Sequence, residues 1–240
     1  NYSKGNFKVE IKPILKEGEL YATLSTEAYK GQIYYTTNGD QPSLKSQLYE
    51  GLIKINSSVT IKAVTEVNGE VKSVIPAEQQ FALHKAIGKK VNYTHPISRY
   101  YMADGPNSLT DGIKGTTAIN KFWHGIAAKD LIAIVDLGEE KNIQSLSLGC
   151  LQNYNDWIMM PEWAKFEVSL DGVNYTEIKT VANPISQQEK KSVINNFTAT
   201  FPSLKARFVR VTAKVLNQLP KGHSGEGKSA WIFADEFIVE

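Results

Sequence analysis

The stretch Leu109–Trp123, LTDGIKGTTAINKFW, gathers side chains suited to holding a hard cation. Calcium takes about 6–8 oxygen ligands at roughly 2.3–2.6 Å, and glycines let main-chain carbonyls curl toward one point. Asp111 offers a carboxylate, Thr116 or Thr117 a hydroxyl, and Gly112 and Gly115 the curvature. The spacing is not that of an EF-hand, and the same residues suit an ordinary Asx-type turn without an ion. The residues alone leave both readings open.

Two other loops combine rings with short polar side chains, the composition of a saccharide site: a platform for the apolar sugar face and a few groups that grip hydroxyls. In QNYNDWIMMPEW at 152–163, Tyr154 and Trp157 are the candidate platforms, with Asn155 as a hydrogen-bonding neighbour. In LPKGHSGEGKSAW at 219–231, His223 is the candidate donor or acceptor. Aromatics with a polar tip also serve as packing residues, which is the reading for Trp163 and Trp231. Trp123 is expected to pack beneath the Asp111 loop.

Catalytic constellations are absent. His84, His95, His124 and His223 follow no nucleophile-elbow motif, and no Cys/His spacing suggests zinc. Cys150, the only cysteine, sits in the apolar run SLSLGCL and reads as a buried thiol, so no intrachain disulfide is available. Asp235-Glu236 is an adjacent acidic pair, but it lies in a terminal strand where neighbours point to opposite faces.

The elements that must position these residues are strands. Val59, Ile61, Ala63, Thr65 and Val67 alternate with Thr60, Lys62, Val64 and Glu66, the two-residue period of a half-buried strand. Asn68-Gly69 follows as a hairpin turn, because both residues accept positive φ. IYYTT before Asn38-Gly39 and Phe166–Leu170 before Asp171-Gly172 repeat the pattern, and Val209, Val211, Ala213 and Val215 form another alternating face. No long amphipathic helical pattern occurs, so the chain is all-β. The strand rhythm breaks at ALHKAIGKKVN, dividing the chain into residues 1–85 and 86–240.

Composition excludes other classes. A net charge of +2 from 27 basic and 25 acidic residues, scattered along the chain, gives no electrostatic footprint for nucleic acid. No apolar run approaches the roughly 20 residues of a membrane span. With no initiator Met and no signal peptide, the chain reads as a piece of something longer.

From residue 86 onward the chain resembles the discoidin or coagulation factor 5/8 C-type domain, the group that includes family 32 carbohydrate-binding modules. LTDG, FWHG, IVDLG, FEVSLDGVNY, ARFVRV and DEFIVE carry the resemblance, in the family's order. It implies a galactose-binding-like jelly-roll β-sandwich with a structural calcium or sodium. The family's ion loop maps onto Asp111, carbonyls near Leu109 and Lys114, Thr116 or Thr117, and a C-terminal glutamate matching Glu236. The single cysteine sets the chain apart from the animal members, which usually tie their ends with a pair. Residues 1–85, with IYYTTNGDQPS, LYEGLIKI and SSVTIKAVTEVNG, resemble the immunoglobulin-like C-terminal domain of chitobiases and β-hexosaminidases.

That order of modules resembles the C-terminal, non-catalytic region of a bacterial, Bacteroidetes-like family 20 β-N-acetylhexosaminidase. The resemblance implies no catalysis in this chain: the family's Asp-Glu pair sits in a (β/α)8 barrel, for which two β-domains leave no room. It implies a secreted, periplasmic or cell-surface setting, and as partners the parent catalytic domain and glycans containing galactose, N-acetylgalactosamine or N-acetylglucosamine. The competing expectation is that both domains brace the catalytic barrel without binding sugar. A weaker third, adhesion to lipid or protein, would use Ile158-Met159-Met160 as an apolar tip.

Overall fold

The computed structural model describes residues 6–119 and 122–240. One compact unit ends at Leu83 and a second begins at His84. Strands of the first are β1 (Val9–Lys16), β2 (Glu19–Thr26), β3 (Gln32–Thr36), β4 (Gln47–Leu48), β5 (Ile53–Lys54), β6 (Val59–Val67), β7 (Glu70–Val71) and β8 (Ala77–Phe81). They form an immunoglobulin-like sandwich of two antiparallel sheets, β1-β2-β5 and β4-β3-β6-β7, with β8 also on β6. Leu20, Ala22 and Leu24 of β2 and Ile61 and Ala63 of β6 are buried at two-residue spacing. The β6–β7 hairpin turns at Asn68-Gly69, both at positive φ (55° and 81°).

Strands of the second unit are β9 (Val91–Tyr93), β10 (His124–Ala127), β11 (Leu131–Gln152), β12 (Trp163–Ser169), β13 (Thr176–Ala182), β14 (Val193–Ala213) and β15 (Trp231–Val239). The only helical pieces among the described residues are two short 3-10 turns, Ser108–Thr110 and Tyr154–Asp156. IVDLG and SLSLGCL, separate in sequence pattern, belong to one 22-residue strand, β11. Its first half pairs with β9 and the second half of β14; its second half pairs with β15 and the first half of β14. Register shifts between Asp136/Lys141 and Ile143/Ser145 let β11 and β14 pass from one layer of the sandwich to the other. The core between the layers includes Val135, Leu148, Phe166, Phe197, Val211 and Phe237. Cys150 is within it, and burial pushes its thiol up.

A second irregularity positions the acidic pair. Leu148 pairs with Phe237 and Cys150 with Ala234, so Asp235 and Glu236 stand opposite the single Gly149. Such a bulge re-aims side chains that simple alternation would send apart. Both carboxyl groups reach the same loop, which corrects the opposite-face expectation for Asp235 and Glu236.

Candidate functional site

The loop 109–118 docks on β15 through those two carboxyls. The Glu236 side chain is fully buried. Its Oε1 accepts from the Gly112 N–H at 3.0 Å and from His84 Nε2 at 2.6 Å. The His84 Nδ1 accepts from the Ala86 and Val239 N–H groups, which places the ring proton on Nε2. Burial lowers His84 to about 3, so its contact with Glu236 is a hydrogen bond from a neutral ring rather than an ion pair. The buried Glu236 Oε2 has no hydrogen-bond partner.

Asp111 stands beside it. Its Oδ1 accepts from the Ile113 N–H at 2.8 Å, so an Asx turn is present. Burial, and then the charge of Glu236, push the Asp111 carboxyl up to about 9. Burial and the neighbouring Asp235 charge likewise raise Glu236 well above the usual carboxylate range. Two carboxyls that each resist ionisation stand side by side, and the one that keeps its proton can hydrogen-bond the other. The pair supplies only part of the roughly 6–8 oxygens that a calcium ion takes. Tyr93 lies close enough to feel both carboxyls; its phenol, hydrogen-bonded to His124 Nδ1 at 3.1 Å, is raised by burial and by their charge.

Thr116 is set differently from expectation. It is exposed, its hydroxyl accepts from the Ala118 N–H, and its carbonyl accepts the Trp123 indole N–H at 2.9 Å. No contact among the described residues brings it to Asp111 or Glu236, and none of their groups of three or more His, Cys, Asp or Glu side chains could hold a metal. Trp123 does pack beneath the loop: it is buried, and a Cβ on Gly115 would meet its ring at 2.5 Å.

The two ring-bearing loops come together at one place. His223 Nε2 donates to the Tyr154 carbonyl at 2.6 Å, Nδ1 accepts from the Gly225 N–H at 2.9 Å, and the Tyr154 and His223 rings meet edge-on at 4.4 Å. Tyr154 and His223 are only 6% and 5% exposed. Neither can face a sugar: Tyr154 belongs to the core and both ring nitrogens of His223 are consumed. They tie the loops together from behind, which corrects both expectations. Ile158, Met159 and Met160 are buried as well, which removes the protruding apolar tip.

Trp157 is half-buried and Asn155 exposed. The indole N–H of Trp157 donates to Ser224 Oγ at 3.2 Å, Gly225 lies against the ring, and the Lys228 ammonium stands 5.4 Å from the ring centre. Trp157 takes a left-handed backbone conformation, φ 63°, closing the 3-10 turn that starts at Tyr154. Gln152 was missed by sequence reading: its amide anchors the Ser186 and Glu189 carbonyls and accepts from Met160 N–H. His84 was missed too, because it lies in the stretch that reads as a boundary.

The F5/8 type C domain profile matches residues 91–225, and the chitobiase/beta-hexosaminidase C-terminal domain profile matches residues 16–75. No curated protein matches the chain. Among solved structures, CBM32-1 from a family 31 glycoside hydrolase from Clostridium perfringens is 20% identical, covering 65% of this chain and 97% of that one, with a TM-score of 0.41. CpGH89CBM32-5 from Clostridium perfringens, in complex with GalNAc-beta-1,3-galactose, is 19% identical, with 62% and 93% covered and a TM-score of 0.40. The first chitosan-binding module of a chitosanase/glucanase from Paenibacillus sp. IK-5 is 17% identical, with 66% and 98% covered and a TM-score of 0.43. The match to SpGH29, 15% identical over 65% of this chain with a TM-score of 0.41, spans 27% of that protein's length.

Proposed function

Because the chain belongs to the F5/8 type C domain family, we propose that its second unit is a carbohydrate-binding module serving a glycoside hydrolase, with the first unit as a companion accessory domain. The chain itself carries no catalytic step in this reading. The observation that carries it is the half-open Trp157 indole, flanked by the exposed polar side chains of Asn155, Asp156 and Ser224. Trp157 would supply the stacking face and Asn155 hydroxyl contacts, while Tyr154 and His223 hold the loop beneath them. A shallow site of this kind gives modest affinity, which tethering to an enzyme makes useful by raising effective concentration. By module order we assign the parent to the β-N-acetylhexosaminidases and the setting to the cell surface, periplasm or medium.

The same proposal gives Asp111 and Glu236 a structural cation, calcium or sodium. The ion would supply the positive charge that their mutual repulsion and the unsatisfied Oε2 lack. Its role is to hold the loop to the C-terminal strand rather than to touch sugar.

A second reading, bracing of a catalytic domain without sugar binding, is favoured by the covering of Trp157 by Gly225 and Lys228. NMR titration of the chain with galactose, N-acetylgalactosamine and N-acetylglucosamine, with calcium and with EDTA, separates the two. Shifts centred on Asn155–Trp157 and Ser224, abolished in Trp157→Ala, support binding. No shifts at millimolar sugar would leave bracing as the function.

A further inference from the structure

Beside the Asp111–Glu236 pair lies a second charged contact that does not need an ion. The Asp235 side chain is fully buried, and the Lys114 ammonium, 14% exposed, meets its Oδ1 at 3.0 Å. The other acceptor positions of that carboxylate are also used: Oδ1 takes the Glu236 N–H and Oδ2 the Gly115 N–H at 2.8 Å. Lys114 also reaches Asn196 Oδ1 at 3.1 Å. Asn196 is the β14 partner of Gly149, so the lysine chain crosses β11 above Gly149 and joins the strands on either side. A Cβ at Gly149 would lie 2.0 Å from Asp235 Oδ1 and 2.5 Å from the Lys114 nitrogen. The buried pair exists because that position carries no side chain.

We propose that Lys114 is a tethered cation that keeps the 109–118 loop docked on β15 whether or not an ion sits between Asp111 and Glu236. Lys114 and Asp235 are thus positioning residues for that neighbouring pair. The physical argument is one of order and charge. A loop that had to be organised by the ion would take its ordering cost out of the ion's affinity. Here an ammonium attached to the loop has already brought it down, and the Gly112 and Gly115 N–H groups are seated on Glu236 and Asp235. Removing one member of a buried, hydrogen-bonded pair strands the other charge, so the loop and not merely the contact is lost.

The test is amide hydrogen exchange on the whole chain, in calcium and in EDTA, for the native protein, Lys114→Met, Asp235→Asn and the double variant. The native loop stays protected in EDTA. In Lys114→Met, exchange at Gly112 and Gly115 rises by at least about tenfold in EDTA, while the central strands β11 and β14 keep their protection. The double variant, which buries no stranded charge, keeps the protein folded should either single change unfold it, and still exposes the loop. A second readout is calcium affinity by calorimetry in the double variant, in which one cation and one carboxylate are removed together and the local net charge is unchanged; it falls at least about tenfold because the ion must then order the loop. That arm rests on the ion reading of Asp111 and Glu236, whereas the exchange arm does not. Absence of calcium binding by the native protein would remove the ion and leave the lysine anchor standing. A native loop that exchanges freely in EDTA, or variants with native loop exchange, would overturn the anchor.

Discussion

Asp111→Asn should change the sign of its effect on stability according to whether a cation is present. The folded carboxyl is raised to about 9 from an ordinary value of 3.8, by burial and by Glu236. Between those two values the folded protein keeps the proton while the unfolded chain gives it up. The folded state therefore binds more protons, and without an ion stability falls as pH rises through this window. Each pH unit costs about 1.4 kcal/mol, which sums to about 4 kcal/mol at pH 7. Halving this for the solvent that reaches a partly open carboxyl leaves about 2 kcal/mol. An asparagine keeps the acceptor for the Ile113 N–H and has no charge to bury. In EDTA at pH 7, urea unfolding of Asp111→Asn should give a stability about 2–4 kcal/mol above the native chain. The gain vanishes near pH 4 and grows toward pH 9. In calcium at a thousand times its dissociation constant the native chain gains about 4 kcal/mol by mass action, which cancels the variant's advantage at its upper bound and reverses the order at its lower one. A variant less stable than the native chain in EDTA at pH 7–8, or a difference that does not vary with pH, would refute the reasoning.

Other outcomes are expected. Gly149→Ala drives a methyl into the Lys114–Asp235 contact and should lose about 3–5 kcal/mol in urea unfolding, whereas Gly51→Ala, with nothing within 4 Å, should stay near native. His223→Ala strips partners from the Tyr154 carbonyl and the Gly225 N–H and should cost about 1–3 kcal/mol. By loosening the Trp157 loop it should also weaken any sugar-dependent NMR shift without removing a contacting group. Cys150 should stay unreactive toward thiol reagents in the native protein at pH 8 and react on unfolding, because its buried thiol holds its proton.

Strand identity was legible in the sequence because alternation is a local property. Val209, Val211 and Ala213 are buried at every second position, although Val215 lies past the end of β14. β6 departs from the half-buried reading, because residues 63–66 are all buried. The Asn68-Gly69 turn was equally legible, since its positive φ values belong to those two residues. Trp123 and Cys150 could be placed because a large ring behind a loop and a thiol in an apolar run each have few destinations. The sugar candidates fared less well for a physical reason. Tyr154 and His223 sit among loop-forming residues, and composition does not say which way a ring turns; the His223–Tyr154 hydrogen bond, between positions 69 residues apart, decided it. The acidic pair shows the same division most clearly. Sequence alone determined that Asp235 and Glu236 are adjacent on a terminal strand, and alternation sends such neighbours apart. Only the bulge opposite Gly149 turned both toward one loop, and only burial made a counter-charge at Asp235 necessary, which Lys114 supplies. Register and burial are set by strands distant in sequence, so no local pattern contains them.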